Sequence, residues 1–140
     1  MPGWLKILLI IAALFVVVIV VISIVAWHSL QAHGPELKAS MEKARDEGAA
    51  YGAGKASGDC VDEALRRGDR SFTGQVRTRL FADACLKAST RPPGYCDPVP
   101  SGIVATAKWA NEQCLRRNLG GDQLCVQLYT AVGDYCHPAH

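Results

Sequence analysis

The chain has 140 residues, 49% of them hydrophobic, and its 15 lysines and arginines nearly balance its 13 aspartates and glutamates. So small a net charge gives no electrostatic attraction to nucleic acid, and a nucleic-acid-binding function is therefore not expected. The length suits one small folded domain with an accessory segment.

The first element is an uninterrupted apolar run at residues 7–27, in which Ser23 is the only polar side chain. As a helix the run would span about 31 Å, close to the ~30 Å hydrocarbon core of a bilayer. Trp4 and Trp27 flank it, where indole rings favour the membrane interfaces. We predict a transmembrane helix in contact with the lipid bilayer, preceded by a short cytoplasmic N-terminus at residues 1–6. A cleavable signal peptide is the alternative, although its apolar region is usually only ~7–15 residues long and ends at a small-x-small site.

Residues 28–58 are predicted to form a stalk followed by a joint. Gly34 and Pro35 suggest the start of a new helix, and oppositely charged residues four apart, such as Lys43 and Glu47, indicate that it is solvated. The glycines and alanines of residues 48–58 allow two interpretations. They could pack closely against another helix, or they could form a flexible joint; the joint is favoured because each glycine weakens a helix by ~1 kcal/mol.

Residues 59–140 are predicted to form an all-α head domain of short helices, with a proline-rich loop before residue 101. Glycine turns and the caps Ser101 and Asp122 delimit the helices. Asp62 and Glu63 are expected to face solvent, paired with arginines one turn later, and not to form a catalytic pair. The residues expected to face the core, from helical periodicity, are Cys60, Val61, Ala64, Leu65, Phe72, Val76, Leu80, Ala84, Cys85, Ile103, Ala107, Ala110, Cys114, Cys125, Leu128, Tyr129, Val132 and Cys136.

The head contains all six cysteines of the chain. Their spacing matches neither the pairs of a structural zinc site nor the C-x-x-C of a redox enzyme, so we expect a disulfide framework and neither metal nor cofactor. Disulfides stabilise small domains with little core and form outside the cytoplasm.

Helix geometry suggests how the cysteines pair. The last two helices are expected to form an antiparallel hairpin that places Cys114 opposite Cys125. Cys136, three turns further on, then lies near the proline-rich loop that carries Cys96. Cys60 and Cys85 remain as the third pair, joining the two preceding helices.

Other short motifs carry little weight. Arg67 to Asp69 spell the RGD tripeptide that integrins read, but at a helix end it is interpreted as a turn. His137 and His140 flank Pro138, which disfavours the helix that a metal site would need, so an exposed tail is expected. The sequence contains no recognisable catalytic motif, and we do not expect an enzyme.

The sequence therefore predicts a single-pass membrane-anchored protein whose head lies outside the cytoplasm. The richness in alanine, glycine and arginine favours a bacterial inner membrane and periplasm. We expect an interaction or structural accessory protein that docks onto a larger envelope assembly; an enzyme or thiol oxidoreductase with a labile disulfide, or a ligand-binding sensor head, are the alternatives. Trp109 is the candidate partner-binding residue. It lies ~240° around its helix from Ile103, outside the stripe of residues that is expected to face the core. It could instead pack against the Cys60–Cys85 hairpin.

Overall fold

The computed structural model describes residues 3–138, and over that range it contains five helices and no β-strand. The helices are α1 (Gly3–Gly52), α2 (Ser57–Arg67), α3 (Phe72–Ala88), α4 (Ile103–Arg116) and α5 (Gln123–Cys136). Residues up to Ala39 form one compact unit, and residues from Ser40 onward form a second. From here on we use the name head for this second unit, which also includes residues 40–58, predicted above to belong to the stalk and joint. The predicted all-α class is confirmed.

The first unit consists of α1 residues whose side chains are almost all exposed. The most apolar window of α1 has a mean hydropathy of 3.6, which makes this helix long and apolar enough to cross a membrane. Ser23 donates a hydrogen bond to the carbonyl of Ile19 at 2.8 Å, so its hydroxyl is satisfied within the helix. The break predicted at Gly34 is wrong, because α1 continues through Pro35. A helix of this length retains hydrogen bonds on both sides of the one that proline removes.

Helix α5 lies at the centre of the head and contacts α2, α3 and α4. Helix α3 runs beside α5 in the same direction, since Arg70 pairs with Asp122 near the start of both helices and Arg79 pairs with Asp134 further along. Helices α2 and α4 run the opposite way. The core is formed mainly by leucine, cysteine and alanine side chains, with Leu86, Leu124 and Leu128 as its largest fully buried members.

Two helices bury a face that overlaps only partly with the predicted one. Cys85, Ala110 and Cys114 are buried as expected, whereas Val76, Leu80 and Ala84 are half-buried and Ala107 is exposed. In α3 the buried residues are Gly74, Thr78, Phe81, Ala82, Cys85 and Leu86. Phe72 is 83% exposed, because it lies ~200° around the helix from Gly74. In α4 the buried residues are Thr106, Ala110 and Cys114, whereas Ile103 is 91% exposed. Gly102, not Ser101, is the N-cap of α4, and Thr106 binds the carbonyl of Pro100 at 3.0 Å, which leaves the first turn projecting into solvent.

The end of α1 packs directly against α3. Gly48 and Gly52 are both buried, and a Cβ on Gly48 would lie 2.9 Å from the carbonyl carbon of Phe81. A Cβ on Gly52 would lie 3.0 Å from the carbonyl carbon of Cys85. The structure therefore differs from the flexible joint expected at residues 48–58: its first two glycines are sites of close helix packing.

The connection after α1 is also held in place. The Thr90 amide donates to the carbonyl of Lys55 at 2.9 Å, and the Ser57 amide donates to the carbonyl of Thr90 at 3.1 Å. This pair of bonds forms an isolated bridge between Ala56 and Thr90. The segment between α1 and α2 is therefore fixed to the end of α3.

The three disulfides join the pairs that the sequence predicted. The Cα atoms are 5.7 Å apart in Cys60–Cys85, 5.5 Å in Cys96–Cys136 and 6.0 Å in Cys114–Cys125. The first pair joins α2 to α3, the second joins the loop before α4 to the end of α5, and the third joins α4 to α5. Cys96 and Cys136 are half-buried, whereas the other four cysteines are fully buried.

Candidate functional site

Four aromatic side chains and two arginines from distant parts of the chain gather around α5. We call this group the aromatic surface; it consists of Arg91, Tyr95, Trp109, Arg117, Tyr129 and Tyr135. Trp109 of α4 lies edge-on to Tyr129 of α5, with ring centroids 5.5 Å apart. Tyr95 lies edge-on to Tyr135, with centroids 6.4 Å apart. Edge-to-face pairs at these distances stabilise the arrangement beyond the area they bury.

Tyr95 belongs to one aromatic pair and is close enough to Tyr129 of the other for the two phenols to influence each other electrostatically. Burial, followed by the neighbouring phenols of Tyr129 and Tyr135, raises the pKa of Tyr95 to about 12. The Tyr95 phenol therefore stays protonated throughout the physiological range and can act as a hydrogen-bond donor. Burial likewise raises the pKa of Tyr129.

The two arginines lie over the tyrosine rings. The Arg91 guanidinium is 4.3 Å from the Tyr135 ring centroid and donates to the Tyr135 carbonyl at 3.3 Å. The Arg117 guanidinium is 5.6 Å from the Tyr129 centroid and pairs with the Asp62 carboxylate at 2.6 Å. Contacts of this kind attract a cation to the ring face and hold each guanidinium in a defined orientation.

A buried serine connects the aromatic surface to α2. The Ser57 hydroxyl is fully buried and lies 3.3 Å from the Tyr135 hydroxyl and 3.0 Å from the Ser89 hydroxyl. Although burial opposes it, hydrogen bonding from Ser57 and Arg91 lowers the pKa of Tyr135. The Tyr135 hydroxyl is thus held within the head, while parts of Tyr95, Trp109 and Tyr135 remain accessible to solvent.

Trp109, the predicted partner-binding residue, belongs to the aromatic surface. It is half-buried and packs against the core through Tyr129. The sequence did not single out the other members, since they lie far apart along the chain. The signal that the sequence did offer is their residue types, because tyrosine, tryptophan and arginine are enriched at protein interfaces.

The prediction that Asp62 and Glu63 both face solvent is only half correct. Asp62 is exposed, but Glu63 is 8% exposed and bonds to both Arg66 and Arg67. The hydrogen bonds from Arg66 and then Arg67 lower the pKa of Glu63 to about 2. Glu63 therefore serves as a buried anchor for two arginines. It is not positioned to exchange a proton near neutral pH.

Two of the RGD residues, Arg67 and Asp69, make contacts within the head. The Arg67 guanidinium lies 5.0 Å from the Phe81 ring centroid, in addition to its contact with Glu63. The Asp69 carboxylate accepts hydrogen bonds from the backbone and hydroxyl of Ser71 at 2.9 and 2.8 Å. Both side chains line a cleft of about 380 Å³ between the end of α1, α2 and α3. Each of its charged groups is engaged in an ion pair: Lys43 and Arg67 contact Glu47, and Arg77 contacts Asp69.

The histidine tail has a structural contact. His137 caps the end of α5, and its Nε2 lies 2.8 Å from the carbonyl oxygen of Val99. His140 lies outside the described residues. Within residues 3–138, no three histidine, cysteine, aspartate or glutamate side chains form a group that could hold a metal ion.

Comparison of the chain with family models, with curated proteins and with solved structures gives no match.

Proposed function

We propose that this protein is a membrane-anchored interaction protein whose head docks onto a larger assembly through the aromatic surface around Trp109. The observation that carries the proposal is the cluster of tyrosine, tryptophan and arginine side chains around α5 in a disulfide-stapled head, in which all members except the buried Tyr129 are at least partly exposed. These three residue types dominate the binding energy of protein interfaces, where truncation of one such side chain often costs ≥ 2 kcal/mol.

Rigidity supports the same proposal. The ring pairs, the stacked arginines and the Ser57 hydroxyl hold the surface in one conformation. A surface that is already ordered loses little side-chain entropy on binding, whereas ordering a mobile side chain costs ~0.5–1.5 kcal/mol. The disulfides extend this rigidity to the loop that carries Tyr95, because Cys96 is bonded to α5.

The proposal places residues 7–27 across a membrane, with the N-terminus in the cytoplasm and the head on the other side. The mean hydropathy of α1 supports the insertion, and three disulfides support an oxidising compartment. A bacterial inner membrane and periplasm fit the composition of the chain.

A reporter fused after the last residue should be active only outside the cytoplasm, and the intact mass should include the first 27 residues. A mature N-terminus near Trp27 would contradict the anchor.

Site-specific photocrosslinking in native membranes tests the docking surface. A photoreactive amino acid at Arg91, at the rim of the aromatic surface, should crosslink to one protein species. The same amino acid at Phe72 is the matched control, since Phe72 is 83% exposed and begins α3, outside the surface. Trp109→Ala and Arg117→Gln should each remove the Arg91 crosslink.

The melting temperature separates a lost interface from a lost fold. Arg117 is 41% exposed, so Arg117→Gln should leave the head folded even if Trp109→Ala destabilises it. Crosslinks that persist in both folded variants, or that form equally from Phe72, would refute docking through the aromatic surface.

A second candidate, a thiol oxidoreductase, is favoured by one observation: Cys96–Cys136 is the half-exposed disulfide of the head. Exchange with an external thiol requires access to a sulfur atom, which the fully buried pairs do not offer. If this pair is catalytic, the purified protein should oxidise a dithiol peptide to its disulfide while Cys96–Cys136 is reduced to two thiols, and it should turn over repeatedly only when an added small-molecule disulfide re-oxidises those thiols. Substitution of both Cys96 and Cys136 by serine should then abolish the turnover.

A further inference from the structure

We infer that a second copy of this chain covers the outer face of α4, in an antiparallel pairing related by two-fold symmetry. The outer face of α4 consists of Val104, Lys108, Asn111, Glu112 and Leu115. This inference goes beyond docking through the aromatic surface, and it concerns a different side of α4.

The outer face lies opposite the side of α4 that packs against α5. Val104, Lys108, Asn111 and Leu115 are spaced by four, three and four residues, which places them on one stripe of the helix. The buried residues of α4 lie on the other side. Val104 is 84% exposed and Leu115 is 57% exposed, so the stripe presents a large apolar side chain near each end.

The stripe is self-complementary in its apolar positions. Val104 and Leu115 are equally far from the midpoint between Trp109 and Ala110, about 8 Å along the axis in each direction. A two-fold axis through this midpoint brings Val104 of each copy onto Leu115 of the other. The same residues are used twice, as an isologous interface requires.

The charges of the outer face are complementary under the same symmetry. Lys108 and Glu112 flank the midpoint on opposite sides, at about 2 Å and 4 Å along the axis, so the two-fold axis brings Lys108 of one copy to within about 2 Å, measured along the helix axis, of Glu112 of the other, which both side chains can reach. Neither residue forms an ion pair with any part of the chain that the structure describes. Two intermolecular ion pairs would therefore form without breaking one within the chain.

The size of the face predicts a weak pairing. Helix α4 has 14 residues and is about 21 Å long. One helix pair of this length buries less than the ~1,200 Å² that stable interfaces usually bury. Association should therefore become measurable when the full chains are concentrated in a bilayer.

Resonance energy transfer between full-length chains in liposomes tests the inference. Donor and acceptor are attached to separate copies at the C-terminus, and transfer is measured against the protein-to-lipid ratio. Lys108→Glu and Glu112→Lys should each weaken self-association roughly tenfold, equivalent to about 1.4 kcal/mol, because each variant opposes like charges. A mixture of the two variants should restore transfer, since every acidic side chain at these two positions then faces a basic one on the other copy.

Apolar substitutions supply a matched control. Val104→Ser should reduce transfer, whereas Ile103→Ser should not, because Ile103 is equally exposed but lies ~100° away from Val104 around the helix. Unchanged melting temperatures and disulfides would show that the variants fold. The inference is overturned if no transfer exceeds that of non-interacting chains, if the charge variants fail to recover on mixing, or if Ile103→Ser acts like Val104→Ser.

Discussion

Replacement of Gly48 by alanine should destabilise the head, although alanine is the better helix former. A Cβ at this position would lie 2.9 Å from the Phe81 carbonyl carbon and 3.0 Å from its Cα, whereas ordinary contacts begin near 3.4 Å. The Phe81 carbonyl oxygen would be closer still. All of these atoms belong to the α3 backbone and cannot rotate away, so α1 and α3 would have to separate by about 1 Å to restore ordinary contact distances. Overpacking of this kind costs ~1–3 kcal/mol, and the gain in helix propensity returns at most ~1 kcal/mol.

We expect a net loss of about 1–2 kcal/mol, or a fall of about 5–10 °C in Tm for a domain of this size. Near-UV circular dichroism of the full chain in detergent, with the disulfides intact, would measure it. Ala50→Gly is the matched control, because Ala50 is exposed in the same turn of α1 and reports helix propensity alone. If propensity governed both sites, the two substitutions would have opposite effects. A higher Tm for Gly48→Ala would refute the close packing of α1 on α3.

The remaining predictions concern the head. The pKa of Glu63 falls from 4.5 to about 2 on folding, so its contribution to stability is complete above pH 4.5 and is lost as the pH falls towards 2. The melting temperatures of wild type and Glu63→Gln should therefore converge over this interval; a constant difference would contradict the assigned ion pairs. Asp122→Ala removes a cap that accepts from two amides at 2.9 and 3.3 Å, and should cost ~0.5–2 kcal/mol in denaturant unfolding, whereas Asp122→Asn should lose less. Under increasing reductant, alkylation mapping should detect Cys96 and Cys136 first, because they are half-exposed; earlier labelling of a buried pair would contradict this order.

The disulfide pairing could be predicted because it depends on local geometry. Once helical periodicity and the turn before Asp122 are known, Cys114 and Cys125 must face each other, and Cys136 lies three turns further along α5. Cys136 then lies beside the loop that carries Cys96, and Cys60 and Cys85 are left as the third pair. The apolar run of α1 could be recognised for the same reason.

Contacts between distant segments were harder to anticipate. Glycines four residues apart are compatible with a joint or with close packing, and only the position of α3 beside Gly48 and Gly52 distinguishes the two. Similarly, Phe72 and Ile103 begin α3 and α4, and periodicity alone did not show that these first turns lie outside the buried faces of the two helices. The aromatic surface combines a loop with two helices, and no local pattern indicates it.

The disulfides also divide the covalent connectivity of the head into two closed rings. Cys60–Cys85 closes one ring, and Cys96–Cys136 closes the other, with Cys114–Cys125 nested inside it. A single backbone cut inside either ring leaves the fragments joined through sulfur, whereas a cut within residues 86–95 would separate the rings. This connecting segment contains Pro92 and Pro93. Their fixed φ angles hinder the extended backbone conformation in which a protease binds its substrate. A head nicked once within either ring would therefore remain a single covalent molecule.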